Sequence, residues 1–284
     1  MEPAKVSMGL FTGSRVAWSF ECSLPLSTAR RFFRRRRKPR SFQMARDVLL
    51  VLSGGLDSTT MAYVLAEQYS CRAVYVDYGK EISPRELAAA KLVSHMLDMP
   101  IDIVGSEGIT RMQYGYLPWT HVRSDESDIK GWDGITRVIT QEEAEALSKY
   151  PAGSPHWYHV SGLHQLVSIA TYLAQLIGIS DIALAITKEQ SIAMPGLGRA
   201  LIKWSECIEL LNPASGKFNV LTPFIDHKKS EIVKTGAATN VPFEITWSCI
   251  TRTDMHCGKC IRCIERKEAF QDASIPDPTS YAPP

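Results

Sequence analysis

The chain has 284 residues, of which 45% are hydrophobic and 22% are charged. This balance excludes a wholly disordered or collagen-like protein, and the apolar runs fall far short of the roughly 20 residues that cross a bilayer. The net charge of +2 is unevenly distributed along the chain. Residues 1–43 contain ten Lys and Arg and two Glu, which gives a charge of +8, and the remaining residues carry −6.

The first 43 residues form a basic extension with a dense run of Arg and Lys at 30–40. Such a run could bind nucleic acid or a membrane surface, or belong to a transit peptide. Charge blocks of this kind are typically disordered, and Met44 stands directly before the first strand signal. We therefore expect 1–43 to be a disordered tail or a translation start assigned too early, with the folded domain beginning at residue 44.

From residue 47 onward, strand and helix signals alternate along the chain. Apolar runs typical of strands buried on both faces lie at 48–52, 73–76, 101–104 and 182–186. Helical spacing of apolar residues lies at 59–68, 84–97, 164–177, 199–211 and 228–235. This order predicts an α/β fold with a doubly wound parallel sheet. Residues 106–158, rich in Gly, Pro, Trp and Asp, predict a loop-rich insertion over the site.

The connection between the first strand and the first helix has the composition of a phosphate-binding loop. Gly54 and Gly55 allow a sharp turn, and the helix that follows begins with unpaired backbone N–H groups. The pattern differs from a Walker loop, because the second glycine is not followed by Lys and Ser or Thr. The predicted phosphate-binding residues are Ser53, Gly54, Gly55, Leu56, Asp57, Ser58 and Thr59.

This loop resembles the PP-loop of the ATP pyrophosphatase family, whose members bind ATP there and release pyrophosphate, leaving an adenylylated substrate. Further segments are similar to the 7-cyano-7-deazaguanine synthase (QueC) family. They lie at 76–80, 86–90, 221–225, 229–233, 241–249 and 265–270. The similarity covers about residues 46–270, interrupted at 106–154 and weakened at 159–205. It implies the adenine nucleotide α-hydrolase-like version of the parallel-sheet fold.

Four of the seven cysteines stand within fifteen residues near the C-terminus: Cys249, Cys257, Cys260 and Cys263. Four thiolates fill a tetrahedral zinc site and leave no position open, so we expect a structural Zn²⁺. An iron–sulfur cluster is the alternative, although the resemblance implies zinc. Because local clustering indicates a metal site rather than disulfides, we expect a cytoplasmic protein. We divide the folded part into an ATP-binding domain at 44–240 and a small zinc-binding helical subdomain at 241–284.

A zinc-knuckle nucleic-acid-binding protein is the alternative from another functional class. Arg252, Lys259 and Arg262 supply local positive charge beside the cysteines. The body of the chain is acidic, however, and a PP-loop has no purpose in a passive binder.

The resemblance implies catalytic roles for Asp57 and Lys229. Lys229 resembles the family's phosphate-binding lysine, and a solvated helix residue is the alternative. Mg²⁺ would enter with ATP and bridge its phosphates, and Asp57 is the acidic residue expected to bind it or to hold the loop. Asp77, at the end of the second strand, is a candidate substrate residue, and a turn carboxylate is the equal alternative.

The substrate half of the chain departs from the family. An Arg and an Asn of the family's pattern are replaced here by Leu163 and His164. A guanine-like edge offers two donors that a carboxylate accepts, and Glu189 is the available candidate. The alternative for Glu189 is a solvated loop carboxylate. The candidate substrate-binding residues are therefore Asp77, His164 and Glu189.

The resemblance implies an ATP-dependent carbon–nitrogen ligase. It would adenylylate the carboxylate of 7-carboxy-7-deazaguanine, amidate it with ammonia and dehydrate the amide to 7-cyano-7-deazaguanine (preQ0), a step of queuosine biosynthesis. The alternative is a paralogue in bacterial anti-phage defence of the CBASS type, which would join the deazaguanine to a protein amine. The sequence leaves open whether a protein partner docks on residues 106–158 and whether the chain forms a homodimer.

Overall fold

The computed structural model describes residues 46–79, 82–106 and 163–283, together with the backbone of 128–130 and 136–138. The basic extension at 1–43 lies outside the described residues, as does most of the predicted insertion at 106–158. Within that insertion, the two short described segments pair as antiparallel strands, β4 (Asp128–Lys130) and β5 (Thr136–Val138).

A parallel sheet of five strands forms the centre of the fold. Its strands are β1 (Asp47–Val51), β2 (Ser70–Asp77), β3 (Ile101–Gly105), β6 (Asp181–Ala183) and β7 (Asn219–Leu221). They lie in the order β3-β2-β1-β6-β7, and every neighbouring pair is parallel. The chain moves outward from β1 to β3 and then returns to the other side of β1, so the switch point lies between β1 and β6. The predicted doubly wound α/β fold is confirmed.

Seven α-helices accompany the strands in the described ranges. They are α1 (Leu56–Leu65), α2 (Ser83–Met96), α3 (Leu163–Leu176), α4 (Lys188–Ala193), α5 (Leu197–Leu211), α6 (Lys229–Ala238) and α7 (Ile261–Ala273). Two 3₁₀ turns lie at Pro213–Ser215 and Phe243–Ile245. None of these helices is both long enough and apolar enough to cross a membrane.

Three local predictions need correction. The strand predicted at 182–186 is observed at Asp181–Ala183, and the backbone nitrogen of Leu184 makes one further hydrogen bond to the carbonyl oxygen of Leu221 at 2.9 Å. β7 was not predicted, since three residues are too few to show a pattern. The segment around Glu189, considered as a loop, is the helix α4. It begins with a capping box, in which the Gln190 side chain accepts from the backbone of Thr187 at 2.9 Å.

Helices cover both faces of the sheet and bury two apolar clusters. Alternate residues of β1 enter opposite clusters, which explains why this strand is a continuous apolar run. One cluster joins Leu50 of β1 to α1, α2, α6 and α7, and the other joins Leu49 to α3 and α5. Phe270 of α7 is 1% exposed within the first cluster. The C-terminal helix therefore shares the hydrophobic core of the α/β domain.

The amino ends of the strands are held together by one buried carboxylate. Asp181, at the start of β6, is fully buried and accepts from Arg46 Nη2 at 2.8 Å and from Asn219 Nδ2 at 2.6 Å. Arg46 precedes β1, and Asn219 opens β7. The opposite, carboxyl edge of the sheet is left for the functional loops.

Candidate functional site

The glycine loop lies at the carboxyl end of β1 and packs against α2. Gly54 has a φ of +75°, and a Cβ on it would lie 2.5 Å from the carbonyl oxygen of Glu86 and 2.7 Å from the backbone nitrogen of Ala90. Only glycine tolerates both this backbone conformation and this close approach. Packing against α2 therefore sets the conformation of the loop.

Hydrogen bonds between two serines stabilise the loop internally. The hydroxyls of Ser53 and Ser58 lie 3.0 Å apart, and the backbone nitrogen of Ser53 donates to Ser58 Oγ at 3.2 Å. Gly55 is the N-cap residue of α1 and has no side chain to cap the helix. The first turn of α1 therefore keeps N–H groups available for an anion, as a phosphate-binding loop requires.

Lys229, the first residue of α6, is brought to this loop from far along the chain. Its Nζ lies 3.5 Å from Asp57 Oδ2 and 3.1 Å from Glu265 Oε2. Burial lowers the pKa of Lys229, but the carboxylates of Asp57 and Glu265 outweigh this effect and leave the pKa above its ordinary value. Lys229 is therefore a permanently charged group beside the loop. The structure brings together the two residues for which catalytic roles were predicted.

A cleft of about 180 Å³ lies between α4, α6 and α7, and Asp57 and Lys229 both line it. Arg262 and Glu265 of α7 also line it, and they were missed as site residues. Arg262 Nη1 donates to Glu265 Oε2 at 3.0 Å. The only sequence signals were that Glu265 belongs to a segment similar to the family and that Arg262 stands beside a cysteine. Neither signal predicts that α7 packs against α6.

The three candidate substrate residues occupy different places. Glu189 lines the cleft, and its Oε1 accepts from the backbone nitrogen of Lys229 at 3.2 Å. Asp77 is the last residue of β2. Its Oδ1 accepts from the backbone nitrogen of Gly79 at 2.7 Å, so Asp77 stabilises the chain that follows the strand. His164 is exposed in the first turn of α3. Neither Asp77 nor His164 is among the described residues that line the cleft.

Asp57 has one oxygen without a partner. Its Oδ2 faces Lys229, whereas Oδ1 is buried and has no hydrogen-bond partner among the described residues. A hard cation such as Mg²⁺ takes carboxylate oxygens and commonly shares its remaining ligands between water and phosphate. The donor set at Asp57 therefore fits a magnesium ion that arrives with a nucleotide.

The four clustered cysteines form a centre that could bind a metal. Their Sγ atoms all lie within 4.8 Å of one another, and Cys257 Sγ is 3.9 Å from Cys263 Sγ. A tetrahedral ion with metal–sulfur bonds of about 2.3 Å needs sulfurs about 3.8 Å apart, which this cluster matches. A hydrogen bond between Cys260 and Cys263 lowers the pKa of the first thiol and raises that of the second. A bound cation would require both side chains as thiolates.

Trp247 connects this metal centre to the glycine loop. Its backbone nitrogen donates to the carbonyl oxygen of Gly54 at 2.9 Å, and its indole Nε1 donates to the carbonyl oxygen of Cys249 at 2.8 Å. Its ring lies 4.5 Å from the ring of His256, measured between centroids. A single residue therefore holds one point of the loop and one point of the metal centre.

Buried groups support the chain on both sides of Trp247. Arg266 is 1% exposed and donates to Thr246 Oγ1 at 2.7 Å and to Ser248 Oγ at 3.2 Å. The imidazole Nε2 of His256 accepts from the backbone nitrogen of Ser248 at 3.0 Å. Burial lowers the pKa of His256 to about 4, so the ring is neutral and able to accept. These contacts keep 246–248 in one conformation.

Over most of its length, the sequence is similar to one family of known proteins. The family model described as "Queuosine biosynthesis protein QueC" matches residues 47–274. The 7-cyano-7-deazaguanine synthase of Methanobrevibacter smithii is 30% identical over 241 residues, covering 84% of this chain and 99% of that protein. The enzyme of the same name from Paracoccus denitrificans is 28% identical, covering 82% of this chain and 92% of that protein.

Among solved structures, similarity is more distant. The U34-tRNA thiolase NcsA from Methanococcus maripaludis, with its 4Fe-4S cluster, has a TM-score of 0.43 and 13% identity, covering 87% of this chain and 72% of that chain. Similarity at this level carries no inference about activity or metal.

Proposed function

The chain belongs to the QueC family, and from that membership we propose that it activates a 7-deazaguanine carboxylate with ATP and then forms a carbon–nitrogen bond. A carboxylate oxygen of 7-carboxy-7-deazaguanine attacks the α-phosphorus of ATP, and pyrophosphate leaves. Ammonia then attacks the acyl carbon, and AMP leaves with the formation of 7-amido-7-deazaguanine. Dehydration of this amide gives 7-cyano-7-deazaguanine.

The observation that carries the proposal is the approach of Lys229 to Asp57 beside the glycine loop, at 3.5 Å. These residues are far apart in the sequence and meet next to the uncapped start of α1. Lys229 and the N–H groups of that turn supply positive charge where negative charge accumulates on the departing pyrophosphate. Asp57 Oδ1 supplies a ligand for the Mg²⁺ that neutralises the phosphates when it is bound.

We further propose that the cysteine cluster holds a structural Zn²⁺. The four sulfurs lie within 4.8 Å of one another, close enough to share one tetrahedral ion, and they would occupy all four of its positions. With no position left open, the ion would supply folding energy and take no part in the reaction. Metal analysis that finds iron, with visible absorption, would contradict zinc.

A protein amine in place of ammonia is the second candidate, as in a defence-associated paralogue. The observation that favours it is the altered first turn of α3. Leu163 packs against an apolar cluster, and it cannot bind an anion or a base as the family's arginine could. The nitrogen donor and the substrate contacts are therefore where this chain would differ from the biosynthetic enzymes.

The nucleic-acid-binding alternative loses support from the charges near the metal centre. Arg252 pairs with Asp254, Arg262 with Glu265, and the buried Arg266 with Asp277. Basic side chains that are paired within the protein are poorly placed to contact phosphates along a nucleic acid.

The test is to incubate the chain with ATP, Mg²⁺ and 7-carboxy-7-deazaguanine, with ammonia, with a candidate partner protein or with neither. We expect AMP and pyrophosphate to form, and mass spectrometry to detect the amide, the nitrile or a protein adduct. Lys229→Met should lower AMP formation at least tenfold, because it removes about 1.4 kcal/mol or more of transition-state stabilisation. Lys234→Met, an exposed lysine on the same helix, is the control and should retain activity. Formation of ADP instead of AMP would contradict the proposal.

A further inference from the structure

One oxygen of Glu265 accepts from two cations of the cleft. Oε2 lies 3.1 Å from Lys229 Nζ and 3.0 Å from Arg262 Nη1. Lys229 has a second carboxylate, that of Asp57, at 3.5 Å. In the absence of a nucleotide, Lys229 and Arg262 are thus paired with carboxylates of the protein itself.

Glu265 is carried by a helix that is anchored in the protein core. It lies on α7 between Cys263, a fully buried member of the cysteine cluster, and Arg266, which is 1% exposed and hydrogen-bonded on several sides. Lys229 and Arg262 reach Glu265 through long side chains with several rotatable bonds. When a polyanion enters the cleft, these two long cationic side chains can turn toward it, whereas the shorter side chain of Glu265 has less freedom to move away from α7.

A carboxylate at this position opposes the binding of phosphates. It repels a nearby anion, and a Lys229 or Arg262 side chain that turns toward a phosphate oxygen weakens its contact with Glu265 Oε2. The net free energy of phosphate binding is therefore a difference between two sets of charged hydrogen bonds. A site built only to bind ATP tightly would gain nothing from such a carboxylate, since Asp57 already orients Lys229.

We propose that Glu265 competes with pyrophosphate for Lys229 and Arg262 and thereby promotes the release of this product. The two cations contact pyrophosphate while it is in the cleft and return to Glu265 Oε2 as it leaves. No covalent bond changes in this exchange. The inference rests on the proposed function, in which pyrophosphate is the first product.

The experiment measures the binding of inorganic pyrophosphate, with Mg²⁺, by titration calorimetry. Glu265→Gln keeps the size of the side chain and removes its charge, so we expect roughly five- to tenfold tighter binding, and slower pyrophosphate release in stopped-flow measurements. Glu265→Ala removes the carboxylate altogether and should also tighten binding. Glu268 also lines the cleft but forms no ion pair among the described residues, so Glu268→Gln removes a charge without removing a contact and should change affinity less than twofold.

The outcomes separate this inference from the proposed function. If both Glu265 variants retain the wild-type metal content and melting temperature but bind pyrophosphate equally or more weakly, competition by Glu265 is overturned. If Glu268→Gln tightens binding as much as Glu265→Gln, the specific exchange is overturned in favour of a general charge effect. If the wild-type protein binds no pyrophosphate, or Lys229→Met binds it as tightly, the proposed function itself fails.

Discussion

The glycine loop and the cysteine cluster are held in place by different forces. The loop takes its shape from backbone packing, because Gly54 lies against α2 and the Ser53 and Ser58 hydroxyls close the turn. The cluster brings four thiols within 4.8 Å of one another, an arrangement that a cation stabilises. Trp247 contacts both regions. We therefore expect damage at the metal centre to reach the loop, and damage at the loop to leave the metal centre intact.

Loss of the metal should have the largest effect. Cys260→Ser, or treatment with a strong zinc chelator, would remove the proposed zinc ion, whose binding contributes folding free energy of up to about 10–16 kcal/mol in small zinc domains. Because α7 shares the main core, we expect the melting temperature to fall by at least about 10 °C and much of the protein to become insoluble. The affinity for a non-hydrolysable ATP analogue should fall together with the metal content.

Cys207→Ser is the matched control for this prediction, since Cys207 is an exposed cysteine outside the cluster. It should keep the metal, the melting temperature and the nucleotide affinity of the wild-type protein. A Cys260→Ser protein that melts at the same temperature as Cys207→Ser would show that the cluster contributes little to the fold.

Gly54→Ala should have the next largest effect and should be confined to the loop. The new Cβ would meet backbone atoms of α2 at 2.5 and 2.7 Å, and the φ of +75° adds further strain. We expect a loss of about 2–4 kcal/mol in the free energy of unfolding and a large loss of nucleotide affinity, with metal content unchanged. Chemical denaturation, calorimetry with the ATP analogue and metal analysis measure the three quantities.

Gly198→Ala provides the comparison for Gly54. It lies in α5, where the nearest atom to a new Cβ is Ile225 Cδ1 at 3.9 Å, so alanine should be neutral or stabilising by up to about 1 kcal/mol. If Gly54→Ala also releases the metal, the expected one-way dependence between the two regions is wrong.

Trp247→Phe should have the smallest effect and tests the connection itself. It removes the hydrogen bond from Nε1 to the carbonyl oxygen of Cys249 and keeps an aromatic ring, at a cost of about 1 kcal/mol. We expect a two- to fivefold weaker affinity for the ATP analogue, roughly 0.4–1 kcal/mol, because Cys249 no longer constrains the residue that holds Gly54.

Trp204→Phe removes a similar indole hydrogen bond, to Thr171 Oγ1 at 3.0 Å, in the other apolar cluster. It should cost a similar amount of stability and leave nucleotide affinity unchanged. Equal losses of affinity in the two variants would mean that Trp247 acts only through general stability.

Features defined by a few neighbouring residues could be predicted from the sequence. Gly54 and Gly55 between an apolar strand and a helix indicate a phosphate loop, because turn geometry and unpaired helix N–H groups are local properties. The spacing of Cys257, Cys260 and Cys263 likewise indicates a metal centre, since a Cys-x2-Cys turn places two sulfurs on one ion. The segment around Glu189 was harder to assign, because a six-residue helix has too few turns for a periodic pattern.

Contacts between residues that are distant in the chain could be identified only from the tertiary structure. The sequence by itself determined the α/β class, the glycine loop and the clustering of the four cysteines, and its resemblance to the family predicted a role for Lys229. Only the packing of α6 against α7 decided that Lys229 and Arg262 share Glu265, and only the path of 246–249 decided that Trp247 binds Gly54. The physical reason is that local patterns follow from backbone geometry over one or two turns, whereas these contacts depend on how a buried core positions helices that are distant in the chain.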